Sequence, residues 1–349
     1  ETLQIIPGLF TFLYPDRSAS TYSAYVETRF PLSQKLELQV AGRFDRYKTL
    51  GKTGFVIDGL GSPIDSARNT TDSFNPTVAL RYQPSEDLAL RASYGTGFVP
   101  PDASQLVPTQ NLLFESLLDP RRGNTPVDTA GVVVQQGGNP DLDPEESENL
   151  SFGFIFTPRL IPGLRASLDF TRIEKTRNIA AYPTGLQGIL NDEELLPSRV
   201  VRGDNLPGDQ PGWAGPVRLI NATLFNVARA QVQAVDMQLD YIWSTGAFGE
   251  FALSAIASRQ LHLKTQALTG QPTVERVGRG FSNPQAFNGN AQLNWRRENW
   301  NAGWSARYYH SYNAADPARA NQQQVIELQG GGGRVASKTY HDLYVGYEF

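Results

Sequence analysis

The stretch that decides the fold runs from Gly138 to Phe170, GNPDLDPEESENLSFGFIFTPRLIPGLRASLDF. It opens with prolines and acids and changes character at Leu150. From there Leu150, Phe152, Phe154 and Phe156 are apolar, while Ser151, Gly153 and Thr157 are small or polar. After Pro158–Gly163 the alternation resumes, with Leu164, Ala166, Leu168 and Phe170 set against Arg165, Ser167, Asp169 and Thr171. Successive side chains of a strand point to opposite faces. Period two therefore predicts two strands joined by a turn, each with one oily and one polar face.

The same pattern recurs along the chain: Leu36 to Phe44, Phe74 to Tyr82, Leu88 to Phe98, Phe287 to Trp295, Trp300 to Tyr308, and Leu343, Val345, Tyr347 and Phe349 at the end. No segment carries a 3.6-residue stripe. Leu219–Trp243 contains neither Gly nor Pro, and Phe225, Val227, Val235, Met237, Leu239, Tyr241 and Trp243 share one phase, so it reads as one protruding strand. Eleven antiparallel strands result. Short turns fall at Pro31–Gln34, Pro84–Asp87, Pro158–Gly163, Ser244–Gly249 and Arg296–Asn299. Long segments, rich in Gly, Pro, Asn, Asp and Gln, fall at about 51–71, 99–145, 176–217, 265–285 and 313–337, and the two kinds alternate.

Composition narrows the class. Hydrophobic residues make up 40% and mean hydropathy is −0.36, with no window long and apolar enough for a spanning helix. A membrane barrel escapes that test, because alternating strands average out to polar. A net charge of −4 and the lack of a basic aromatic-interleaved cluster argue against nucleic acid as a partner. Without Cys there is neither a disulfide scaffold nor a thiolate metal site. Residues 1–20 have no signal-peptide pattern, so a leader is expected to have been removed or the chain to be internal to a longer one.

Tight turns at one end and long loops at the other are the layout of an all-β, antiparallel transmembrane β-barrel, with loops outside and turns in the periplasm. The Arg, Asp, Asn and Gln of the polar face are solvated in a wide wet lumen, so the oily face, with Phe152, Phe154 and Phe156, meets lipid. Tyr82, Trp243, Trp295, Trp300 and Tyr347 lie beside the short turns, where an aromatic girdle sits at headgroup level. A secreted soluble β-protein that binds or cleaves glycans is the alternative, and it requires Phe152, Phe154, Phe156 and Trp304 to be buried.

Four stretches resemble TonB-dependent outer-membrane receptors: "GNPDLDPEESENLSFGFIF" before a descending strand, "LALRASYGTGFVPPDASQL" (Leu88–Leu106), "SAYVETRFPLSQKLELQVAGRFDRY" (Ser23–Tyr47) and "FNVARAQVQAVDMQLDYIW", which departs at Ala234, where the family usually has Gly. The resemblance implies that residues 1–349 are one barrel domain, part of a 22-stranded barrel in the bacterial outer membrane. The family's plug and TonB box, and an N-N-L-F-D segment after the final strand pattern, are not found here, so the chain is expected to be a middle-to-late portion. Residues 1–17 are then the tail of an extracellular loop, and residues 1–349 alone are expected not to assemble stably in a bilayer. Implied partners are outer-membrane lipid and lipopolysaccharide, the plug, the TonB system through it, and a small-molecule or oligosaccharide ligand. The implied activity is uptake of an iron–siderophore complex, cobalamin or an oligosaccharide; a passive porin-like channel or surface adhesin is the alternative barrel function.

No enzyme motif, phosphate loop or cofactor signature occurs. His262, His310 and His341 are scattered, and the acids Asp141, Asp143, Glu145, Glu146 and Glu148 lack the ordered calcium-loop pattern. Receptors of this kind recognise ligand with outer loop and lumen side chains, which points to Phe114, Arg121, Arg122, Tyr182, Trp213 and Tyr312. The excess of Arg over Lys suits bidentate recognition of carboxylate or phosphate.

Overall fold

In a computed structural model of the chain, which describes residues 3–6, 10–12, 17–52, 55–57, 66–113, 115–128, 131–182, 184–266, 268, 271–280, 283–314, 322–328 and 330–349, eleven long strands form one antiparallel sheet. They are β1 (Ser18–Ser33), β2 (Leu36–Lys52), β3 (Ser66–Ser85), β4 (Leu88–Val99), β5 (Glu145–Phe156), β6 (Leu164–Ala180), β7 (Phe225–Thr245), β8 (Gly249–Gln266), β9 (Phe287–Arg297), β10 (Trp300–Tyr309) and β11 (Lys338–Tyr347). They lie side by side in chain order. Tight turns close the hairpins β1–β2, β3–β4, β5–β6, β7–β8 and β9–β10, and long segments make every other connection.

The register carries the alternation across the sheet. Leu164, Tyr241, Leu253, Leu293, Trp304 and Leu343 form one row from β6 to β11. The neighbouring row on the opposite face is Arg165, Asp240, Ser254, Gln292, Ser305 and Asp342. A slip of one residue anywhere would exchange the two faces. Phe152 and Phe154 continue the apolar face through Ala92 and Phe170, and through Leu90 and Leu168.

That apolar face is uncovered. Phe152 is 51% exposed, Leu343 79% and Val345 71%, and none of Phe152, Phe154, Phe156 and Trp304 is buried. The soluble glycan-binding alternative needed them inside, and the structure contradicts it. Toward the short turns the face becomes aromatic. Trp243 stacks between Tyr241 at 4.7 Å and Phe251 at 5.1 Å, and Trp300 meets Tyr347 at 4.8 Å. Trp295 lies in the row of Trp243 and donates its indole N–H to the Phe248 carbonyl of the β7–β8 turn at 2.6 Å, while Tyr82 lies in the last turn-side residues of β3, opposite Leu36.

The buried core lies in the loops. Leu113, Leu117, Val132, Val134, Tyr182, Ile189, Leu190, Leu196, Val217 and Ile220 pack together outside the sheet. The reading of Leu219–Trp243 as one strand is therefore corrected, and the long segments at 99–145 and 176–217 contain secondary structure of their own. Val217–Asn221 is a separate strand that pairs in parallel with Val133–Gly137 and antiparallel with Val200–Arg202, and the long strand begins at Phe225. Helix α1 (Gly185–Asn191) and the pairing of Pro108–Leu112 with Val133–Gly137 complete the cap. Arg199 holds the break between the two strands, donating to the carbonyls of Asn221 and Thr223 at 3.2 and 2.7 Å.

The proline-rich approach to β5 docks this cap onto the sheet. Asn139 donates its amide to the Leu224 carbonyl at 3.1 Å, and Asn226 both accepts from and donates to the Asp143 backbone, at 2.9 and 2.8 Å. Leu142 is buried between them, and its carbonyl accepts from Asn69 at 3.2 Å. Gly138 is obligatory because a Cβ there would fall 2.3 Å from the Val107 nitrogen.

On the polar face Gly153 stands in register between Arg91 and Asp169, which reach over it to form a 2.5 Å ion pair. A Cβ at Gly153 would lie 2.1 Å from Asp169 Oδ1 and 2.4 Å from the Leu168 carbonyl. Gly153→Val should therefore cost about 1–3 kcal/mol, read as a lower midpoint of denaturant unfolding; an unchanged midpoint would show that the gap is not needed.

Candidate functional site

Two surfaces can meet a solute. The first is the polar face of the sheet, where a concavity of about 610 Å³ opens against Arg91, Arg165, Asp169, Asp236, Asn288 and Asn290. Alternation places Asn288, Asn290, Gln292 and Asn294 in one column along β9, and Asn294 accepts from the Tyr344 hydroxyl at 3.1 Å, across Gly303. The wall's charges are largely paired. Arg165 lies 3.8 Å from Asp240, Arg307 3.3 Å from Asp342, and the buried Asp45 accepts from Arg43 at 2.8 Å. Such a wall is hydrophilic, nearly neutral and hydrogen-bonding, as a water-filled bore requires.

The second surface is the loop cap, held by arginines. Arg202 donates to both oxygens of Asp119 at 2.7 and 2.9 Å and to Glu193 at 2.6 Å. Burial works to lower its pKa, but the Glu193 and Asp119 hydrogen bonds outweigh that and raise it. Arg122 grips Asp209, donates to the Ala214 carbonyl at 2.6 Å and sits 4.9 Å over the Trp213 ring. The Arg122 hydrogen bond, with help from the Leu206 N–H, holds Asp209 below the ordinary carboxylate range.

The structure distributes the sequence-derived candidates unevenly. Arg121, Arg122 and Trp213 come together on the cap; Arg121 is half exposed and 3.6 Å from Glu193, whereas Arg122 is spent on its loop partners. Tyr182 is buried in the cap core and donates to Asp192. Tyr312 lies apart, paired with Val335 in a two-residue antiparallel ladder. Phe114 falls outside the described residues. The cap's organisers Asp119, Glu193, Arg199 and Arg202 were missed, since nothing local in sequence marks an Arg whose carboxylate partner lies in another loop. The β9 amide column was visible in the alternation. The histidines remain separate: His262 on Glu275 at 2.8 Å, His310 against Tyr308 and His341 against Trp304.

An open sheet that is apolar on one face and hydrophilic on the other, with tight turns at one end and a folded cap at the other, has the layout of part of a transmembrane β-barrel wall. The chain belongs to the family described as TonB dependent receptor-like, beta-barrel, whose model matches residues 3–349. No curated protein matches it. Among solved structures it is similar to the siderophore receptor PirA from Acinetobacter baumannii, with 14% identity and a TM-score of 0.57 over 95% of this chain and 48% of that one. It is also similar to the FrpB iron transporter from Neisseria meningitidis, with 12% identity and a TM-score of 0.55 over 97% and 40%. A mutant of the ferric enterobactin receptor PfeA from Pseudomonas aeruginosa, in complex with enterobactin, matches with 14% identity and a TM-score of 0.52 over 97% and 47%. The chain spans about half the length of PirA and PfeA, or less. The family consists of bacterial outer-membrane transport receptors rather than enzymes.

Burial, then the Asp192 carboxylate, pushes the Tyr182 phenol up to about 12. A folded value above that of a free tyrosine, about 10, makes this contact stabilising below that pH and lost as pH rises through about 12. The phenolate absorbance difference between wild type and Tyr182→Phe should titrate near pH 12; a midpoint near 10 would place the phenol in water.

Proposed function

We propose that this chain is the barrel wall and outer loop cap of a bacterial outer-membrane receptor that takes up an iron–siderophore complex, with energy delivered by TonB through a plug seated in the bore. The observation that carries the reading is the joint occurrence of a hydrophilic, hydrogen-bonding inner wall and a folded, arginine-braced cap at the loop end. A wall of this kind accepts a protein plug and a polar solute, and the cap offers side chains to capture one. Likeness to receptors named for siderophores and iron supports iron chelates over cobalamin or an oligosaccharide. Residues 1–349 act as one barrel domain, ringed by outer-membrane lipid and lipopolysaccharide, and the chain contributes no catalysis of its own.

The test is uptake of radiolabelled iron from siderophores by cells carrying the full receptor. Uptake should stop when TonB is deleted or the proton gradient is collapsed. Iron entry that continues without TonB would mean a passive channel instead.

A further inference from the structure

The outward face of the sheet changes character at one level. On β7 it is apolar from Trp243 to Val235 and then turns to Gln233, Gln231 and Arg229. On β6 it is apolar from Leu164 to Phe170 and continues as Arg172, Glu174 and Thr176. Val235 is eight residues from Trp243. At about 3.4 Å per residue and a tilt of about 40°, it stands roughly 20 Å above the turn-side aromatics. A barrel's apolar band is about 25 Å tall, so the change falls at the headgroups of the outer leaflet.

Arg259 sits at that level. In register it takes the place of an apolar residue, between Val235 of β7 and Phe287 of β9, in the row that contains Phe152 and Phe170. It is exposed, and its guanidinium makes no hydrogen bond or ion pair among the described residues. A charge turned toward hydrocarbon is destabilising at depth and tolerated where a long side chain lifts its head to the interface. Four register steps further out, about 13 Å, Lys264 stands opposite Gln231, and its ammonium is likewise unpaired among the described residues. The acids on the outward face of β6 and beside β8 are already committed. Glu174 pairs with Arg172 and Arg229, and Glu275 accepts from His262 and from the backbone N–H groups of Leu263, Arg276 and Val277. Two cations thus stand without a counter-ion on a surface continuous with the lipid-facing band.

We propose that Arg259 and Lys264 form a binding site for a phosphorylated glycolipid of the outer leaflet, each cation taking one phosphate of a headgroup that carries two. Gln233, between them on the same face, offers its amide to the sugar. The inference rests on the outer-membrane reading and turns a general lipid contact into a defined site.

The test measures binding of diphosphoryl lipid A, monophosphoryl lipid A and a phosphate-free analogue to the purified full receptor in detergent, by native mass spectrometry. The diphosphoryl form should bind about tenfold more tightly than the monophosphoryl form, the scale of one charge-assisted hydrogen bond. Arg259→Ala and Lys264→Ala should each weaken the diphosphoryl lipid by about tenfold, and Lys264→Arg should retain it. The double alanine variant should no longer distinguish phosphorylated lipid from the phosphate-free analogue. Equal affinity of the wild type for the two lipid A forms would overturn the assignment. So would undiminished binding by single alanine variants that still migrate as folded barrels, or displacement of the lipid by inorganic phosphate at equal concentration. TonB-dependent iron uptake by a receptor without the phosphate preference would sink this site alone, whereas the preference with TonB-independent uptake would sink only the transport reading.

Discussion

Hydrocarbon supplies no hydrogen-bond partner, so a strand that crosses it must satisfy its backbone on its neighbours and show lipid nothing but apolar side chains. Almost every feature of this chain follows. The eleven strands pair in unbroken order, their tight turns leave no slack, and the register keeps Leu164, Tyr241, Leu253, Leu293, Trp304 and Leu343 in a single row. The usual relation between burial and hydrophobicity is inverted as a result. The sheet's large apolar residues are exposed or half-buried and none is buried, while the buried cluster sits in the cap, where water rather than lipid is the solvent.

The inner face answers a different demand. It must stay wetted without accumulating unpaired charge, and it does so by spanning strands. Arg91 reaches Asp169 over Gly153, and Tyr344 reaches Asn294 over Gly303. In each case a glycine on the middle strand leaves room for the two outer side chains to meet. Glycines that look like weak points in the strand pattern are thus the positions that let a polar wall cross-link itself.

The strands were legible because period two is local: each residue announces its face through its neighbours two positions away. Four of the five turns were legible because Pro or Gly punctuates them, and Arg296–Asn299, which has neither, was legible as the break between two alternating runs. The cap was not, because its structure rests on contacts between distant segments. Val217–Asn221 has strand composition and runs almost into Phe225, yet it pairs with Val133–Gly137 rather than joining the wall. Arg122 reads in sequence as a ligand-binding arginine and Arg202 goes unmarked; only the fold reveals Asp209 beside the first and Asp119 and Glu193 beside the second. Tyr182 is an aromatic in a loop by sequence and a core residue by structure. The proline-rich run before β5 suggested a family on resemblance, and the structure supplies its physical reason in the Asn139 and Asn226 clamps.

The account stands or falls on which face meets the bilayer. Single nitroxide labels at Phe152, Leu343, Asn290 and Ser305 in the full receptor, reconstituted in lipid, measure this directly through relaxation by oxygen and by a water-soluble nickel chelate. Labels at Phe152 and Leu343 should respond to oxygen and ignore nickel, and those at Asn290 and Ser305 should do the reverse. Nickel accessibility at Phe152 and Leu343, with oxygen enrichment at Asn290 and Ser305, would contradict the account.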